Sequence, residues 1–360
     1  MSFRRAVACL LVLFCLGLAS PAFANAKATE IITQAVDGFV RPGYRHFHEA
    51  TSALAAKEQA LCKTPSQAAL DAARQSFNET VDAWSVIEII RFGPVTEQNR
   101  LERVLFWPDR KGTGLKQVQA ALASKDPTAA DPVLLAGKSV AMQGLGALEF
   151  VLYGTGSEGL ATAGESYRCA YGAAISGNLD KIAAELDAAW AAPDGFAAAW
   201  ANPAAGNALY RDGTEAVTEL MDVFVTGFEL VRDVRLGGFL GQEPEGDKPK
   251  QALFWRSGKT VDALAANLAG MKALLESSKL ASALPADMAW IEKSALFEFG
   301  NAANAAAAAN GPIAEVLSDP DRRDKLVYFG VVTSSLSEIF GTRLSGELGL
   351  TAGFSSLDGD

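Results

Sequence analysis

The chain reads as an all-α protein on three observations. Apolar residues recur at three- and four-residue spacing through most of its length, helix start and stop signals bracket those stretches, and strand-like alternation bounded by turn residues is hard to find. With 360 residues, 49% of them hydrophobic, it can bury a sizeable core, and at roughly 150 residues per domain two domains are expected. Thirty-two Lys and Arg against 42 Asp and Glu give a net charge of −10, which argues against nucleic-acid binding by broad attraction to phosphates. Only two His are present, so His-rich metal sites are excluded.

The elements follow in order. Residues 1–24 carry Arg4 and Arg5, an apolar run from Ala6 to Ala19 and the small-x-small pattern Ala22-Phe23-Ala24, which together read as a cleaved signal peptide and hence export to the periplasm. Phe14 before Cys15 disfavours a lipid anchor. Cleavage takes away two Arg and no acid, leaving a mature charge of −12, and removes Cys9 and Cys15. In an oxidising compartment the remaining pair, Cys62 and Cys169, reads as a disulfide; the alternative is two buried thiols that never meet. A first helical stretch spans about 28–61, broken or kinked near Pro42. Ser66 is an N-cap before Leu70, Ala73, Phe77, Val81, Trp84 and Ile87, a pattern ending near Gly93-Pro94. Further helical stretches are expected at about 131–153, 165–191, 212–236, 250–277, 286–309 and 321–345, with Ala302 to Ala309 suited to close helix packing.

The two halves resemble each other. Glu79-x-x-Asp82-x-Trp84 leading to Glu88-Ile-Ile-Arg91 is matched by Glu219-x-x-Asp222-x-Phe224 leading to Glu229-Leu-Val-Arg232. Phe106-Trp107 and Leu148-Glu149-Phe150 are matched by Phe254-Trp255 and Phe297-Glu298-Phe299 at nearly equal distances. The expectation is two four-helix-bundle-like domains related by internal duplication, at residues 25–195 and 205–360, with the boundary in the stretch Pro193 to Asn207, rich in Ala, Gly, Pro and Asn.

The informative chemistry is charge set into apolar helices. Glu88 sits among Val86, Ile87, Ile89 and Ile90, and Glu149 among Ala147, Leu148, Phe150 and Val151. Each must emerge at a polar edge or be buried with a partner. Arg91 lies one helical turn beyond Glu88 and is expected on its face. Arg91, Arg100, Arg103, Trp107, Asp109 and Arg110 concentrate in one connecting region, either a ligand-binding rim or an ion-pair network locking a loop onto the bundle. His46 and Glu49 form an H-x-x-E pair on one helical face, read as a solvent-facing pair in preference to two metal ligands. Gly154-x-Gly156-x-x-Gly159 follows a helix where a dinucleotide site needs a strand, and Gly258-Lys-Thr260 lacks the earlier Gly of a phosphate loop, which Leu253 replaces. Neither H-E-x-x-H nor G-x-S-x-G occurs.

These residues together resemble the imelysin-like family, in particular its periplasmic branch, with insulin-cleaving membrane protease and iron-regulated protein relatives. The likeness runs from about residue 30 to the end. It rests on Trp84-x-x-x-Glu88-x-x-Arg91-Phe-Gly-Pro94, Arg100-x-x-Arg103-x-x-Phe106-Trp-Pro-Asp109, Gly144-Leu-Gly-Ala-Leu-Glu149, Arg168-Cys-Ala-Tyr171 and the terminal Leu348-Gly-Leu-x-x-Gly-Phe-x-x-Leu-Asp-Gly-Asp360. The resemblance implies two four-helix bundles, a role linked to iron uptake, and an association with metallopeptidase activity. The family's metal motif is G-x-H-x-x-E, and Gly146 stands here where the His belongs, while Glu149 remains. A zinc peptidase site needs three protein ligands and an open position, so it loses its main support. A harder site on Glu88 and Glu149, holding iron or another divalent or trivalent cation, suits oxygen donors better.

The function expected is therefore a non-catalytic periplasmic protein that binds a metal ion or small ligand and works with iron-uptake components. Its site would use Glu88, Arg91, Arg100, Arg103, Trp107, Asp109 and Glu149, with Glu88 and Glu149 approaching each other near Arg91 and Trp107. The alternatives are an imelysin-type metallopeptidase and a structural or partner-binding helical protein.

Overall fold

The structure, a computed structural model, describes residues 25–350. The leader read at residues 1–24 and the last ten residues of the terminal motif lie outside the described residues. Those described are helical, with no strand among them.

Asn25–Ala35 (α1) buries Ala28, Ile31, Ile32 and Ala35. The bend expected near Pro42 is a π turn at Val36–Val40, after which Arg41–Lys63 (α2) carries Pro42 in its first turn. Ser66 accepts a hydrogen bond from the Ala69 amide at 3.2 Å and caps Gln67–Ile87 (α3), whose buried stripe contains every apolar position expected from the spacing. This helix stops at Ile87, earlier than the sequence suggests, and Arg100–Val104 (α4) is a single short turn after it. The Asp109 carboxylate accepts from the amides of Thr113, Gly114 and Leu115 and so starts Thr113–Ser124 (α5).

The single helix expected at 131–153 is two. Pro132–Leu135 (α6) is capped by Asp131, and the chain restarts as Gly144–Tyr153 (α7). The cause of the break is Gly144. Its φ is +76°, and a Cβ there would lie 2.4 Å from the Val104 carbonyl oxygen, so only glycine allows the new helix to begin against α4. Ser166–Ala191 (α8) and Phe196–Ala201 (α9) complete the first half. Asp212 caps Gly213–Glu229 (α10), which runs into a π turn at Leu230–Leu236. Thr260–Ser278 (α11) begins ten positions later than expected, because residues 250–259 form a loop with a role described below. Trp290–Ala308 (α12), Ile313–Ser318 (α13), Pro320–Glu338 (α14), a π turn at Ile339–Leu344 and Ser345–Glu347 (α15) end the described chain.

Helix α2 packs against α3 and α8, and α7 closes the set by touching both α3 and α8. In the same manner α10 packs on α11 and α14, and α12 touches both of these. Helix α1 crosses to the second set, against α10 and α11, and α3 lies along α11. One hydrophobic cluster therefore runs through the molecule. The Cys62–Cys169 disulfide ties the end of α2 to the start of α8 across 107 residues, a loop whose closure stabilises the fold by roughly 4–5 kcal/mol in the chain-entropy model.

Candidate functional site

Between the two sets of helices lies a cavity of about 560 Å³, a size typical of small-molecule sites. One wall comes from residues 106–118 and from α7; the other comes from the end of the π turn after α10 and from the loop before α11. Phe106, Trp107, Phe150 and Trp255 give it an aromatic lining. Gly146 opens onto it, and a Cβ built there would meet no atom within 4 Å. The family's motif position for His is thus vacant space on the cavity wall.

Glu149 borders the same cavity three residues further along α7, on the same face. Its Oε1 accepts from the Arg256 amide at 3.0 Å, the Ser257 amide at 2.9 Å and the Ser257 hydroxyl at 2.9 Å. Burial pushes the Glu149 carboxyl up, and the Ser257 amide and hydroxyl and the Arg256 charge oppose that push. The loop is shaped for this contact. Phe254, buried, takes the left-handed conformation with φ +56°, unfavourable for an aromatic residue, in the turn that presents the next two amides to the carboxylate. Arg256 then lies over the Trp255 ring at 4.4 Å and the Phe150 ring at 5.3 Å, with its Nη1 4.0 Å from Glu149 Oε2.

Glu88 is placed elsewhere. It is 1% exposed, and its Oε2 accepts from Arg235 Nη2 at 2.5 Å while its Oε1 accepts from Asn267 Nδ2 at 2.6 Å. Arg235 Nη1 donates to Asn267 Oδ1 at 2.6 Å, which closes the triangle, and Asn267 Nδ2 also reaches the Ser85 carbonyl. This network joins α3 to α11 and to the π turn after α10. Because α3 ends at Ile87, Arg91 does not sit one turn along a common helix from Glu88, and among the described residues it makes no hydrogen bond. Burial pulls the Arg91 guanidinium down, and the nearby charge of Glu88 opposes that pull.

The remaining candidates divide. Trp107 and Asp109 line the cavity, although both Asp109 oxygens are engaged at the N-terminus of α5. Arg100 is buried against Glu185, Glu97 and the Pro94 carbonyl, and Arg103 donates to Gln143 and Asn178, so both lock the connecting region onto α8. Glu88, Arg91, Arg100 and Arg103 do not line the cavity, and Glu88 and Glu149 share no partner. His46 and Glu49 are 3.9 Å apart and both exposed.

Among the described residues no group of three or more His, Cys, Asp or Glu is placed to hold a metal ion. Glu88 is neutralised by Arg235, one oxygen of Glu149 is saturated by three donors, and Gly146 offers no ligand atom. These donors do not fit an ion held by protein ligands alone. Four residues the sequence reading passed over matter most: Arg235, Asn267, Arg256 and Ser257. Arg256 and Ser257 directly follow the repeated Phe254-Trp255, and Asn267 is a polar residue among Leu264, Leu268 and Met271; both were visible signals.

Comparison with known proteins agrees with the fold. The sequence model of the imelysin family, peptidase M75, matches residues 40–337. A crystal structure of an imelysin-like protein from Psychrobacter arcticum 273-4 superposes with a TM-score of 0.77 at 18% identity, covering 92% of this chain and 98% of that one. A protein described as an iron-regulated protein A precursor from Parabacteroides distasonis ATCC 8503 superposes with a TM-score of 0.73 at 13% identity, covering 90% and 96%. No curated protein matches the sequence.

Proposed function

The chain belongs to the imelysin family, and from that premise we propose that it is a non-catalytic periplasmic protein that binds a small ligand in the cavity between Trp107, Glu149 and Trp255 and serves iron uptake. The cavity carries this reading, because a preformed aromatic chamber with a few convergent polar groups is what small-ligand sites share. The metallopeptidase alternative needs the motif imidazole, and α7 has Gly146 in its place. Iron or another divalent or trivalent cation would arrive already complexed by its own ligand, since Glu88 is paired with Arg235 and Glu149 has a single oxygen free of hydrogen bonds among the described residues. Of the expected site residues, Trp107, Asp109 and Glu149 remain in the binding set, and Glu88, Arg91, Arg100 and Arg103 become its frame.

Export is supported by the leader pattern at residues 1–24 and by the disulfide, a bond of oxidising compartments. No helix among the described residues is long and apolar enough to cross a membrane. The description of the Parabacteroides relative supports the link to iron. We also propose that the two sets of helices arose by duplication. Glu88 follows the last residue of α3 as Glu229 ends α10, and Trp107 and Trp255 face one cavity.

The binding reading is tested by isolating the protein from the periplasm of iron-starved and iron-replete cells, then applying native mass spectrometry and elemental analysis. A non-covalent small species should accompany the wild type and be lost from Gly146→Trp, whose Cβ meets no atom within 4 Å and whose indole would take up cavity space. A bound species that persists unchanged in the folded variant, or none in either protein, refutes it.

A further inference from the structure

Resting on the binding reading above, we infer that the cavity selects a planar organic anion, an aromatic body bearing a carboxylate, whose charge is taken by Arg256. Formal charge does not decide this, since Arg110, Lys250 and Arg256 are balanced by Asp109, Asp233 and Glu149 on the lining. The inventory of hydrogen-bonding atoms does. The acids are largely engaged: Asp109 by the amides of α5, Asp233 by Arg232 at 2.6 and 2.7 Å, and Glu149 through Oε1 by three donors, which leaves Glu149 Oε2, 4.0 Å from Arg256 Nη1, without a hydrogen bond among the described residues.

The basic side chains are not. Among the described residues the side chains of Arg110 and Lys250 have no acceptor, and the Arg256 guanidinium makes no hydrogen bond, its nearest carboxylate oxygen being 4.0 Å away. The indole N–H groups of Trp107 and Trp255, which also line the chamber, have no acceptor among the described residues. The wall therefore offers donors in excess of acceptors, which suits a ligand that brings acceptors and negative charge.

The position of Arg256 makes it the selective group. Its guanidinium lies over the rings of Trp255 and Phe150, and its backbone N–H donates to Glu149, so it is oriented before a ligand enters. The Arg256 side chain is only 20% exposed, and a partly desolvated cation gains more from a carboxylate than one in water. The aromatic faces of Phe106 and Trp107 supply the stacking surface for a flat body. Through Oε1, Glu149 also acts as a positioning residue, because it holds the Arg256–Ser257 turn.

The test is calorimetric titration of the full mature chain with 1-naphthoate, its neutral analogue 1-naphthylmethanol, and inorganic phosphate. The expected result is binding of naphthoate, at least tenfold weaker binding of the neutral analogue, and weak or no binding of phosphate, which lacks the flat body. Arg256→Gln should bring naphthoate down to the level of the alcohol and leave the alcohol unchanged, with Arg256→Lys intermediate. Lys250→Gln, at the exposed rim, should cost about threefold and leaves a readout if the loop variant folds poorly. Equal binding of acid and alcohol, or undiminished discrimination in Arg256→Gln, overturns the inference. Binding of neither naphthalene probe also overturns it, while the co-purified species in the previous experiment judges the binding reading separately.

Discussion

Removing Arg235 from its pocket tests the cross-half network directly. In the wild type this guanidinium is 3% exposed and Glu88 1%, and the pair is bridged by Asn267 with three contacts of 2.5–2.6 Å. Arg235→Met replaces the side chain by an apolar one and leaves two acceptors, Glu88 Oε2 and Asn267 Oδ1, buried without donors. At about 1–3 kcal/mol per orphaned group the cost is roughly 2–6 kcal/mol, in line with about 3–5 kcal/mol for breaking a buried ion pair from one side. The double variant Glu88→Met/Arg235→Met removes both charges. It should therefore be less destabilised than the sum of the two single variants by at least about 2 kcal/mol. Urea unfolding followed by circular dichroism on all four proteins gives the cycle. Additivity within about 0.5 kcal/mol would refute the coupling, and with it the claim that this triangle holds α3 to α11.

Glu58 supplies a pH test. It is fully buried, neither of its oxygens has a hydrogen-bond partner among the described residues, and burial pushes its carboxyl up to about 8. The folded chain then keeps a proton that the unfolded chain has released, so stability should fall as pH rises from about 5 to 8, by up to about 1.4 kcal/mol per unit, and Glu58→Gln should flatten that dependence. Identical slopes for variant and wild type in urea midpoints at pH 5 and 8 would count against it. The duplication is checked on an experimental structure by superposing residues 30–190 on 210–350: Phe106-Trp107 should fall on Phe254-Trp255, and no such alignment would make the repeat a coincidence.

What could be read from the sequence is what local chemistry decides. The Ser66 cap and the stripe from Leu70 to Ile87 follow from spacing within a single helix, and the Cys62–Cys169 bridge follows from reading residues 1–24 as a leader, which leaves two cysteines to pair. Helix ends were less legible where tertiary contacts set them. Gly144 restarts a helix because the Val104 carbonyl crowds it, and residues 250–259 stay out of helix in a turn whose amides hold Glu149. The candidate site shows the same division. A carboxylate within an apolar run announces that a partner exists, because an unpaired buried charge is too costly, yet the partners of Glu88 and Glu149 lie more than a hundred positions away. The repeat drew attention to Arg232, which binds its exposed neighbour Asp233, and passed over Arg235 one turn further on. Both lie within the π turn Leu230–Leu236, which widens the helix and shifts the phase of its residues. A helical wheel drawn at 3.6 residues per turn therefore misplaces Arg235, the arginine that meets Glu88.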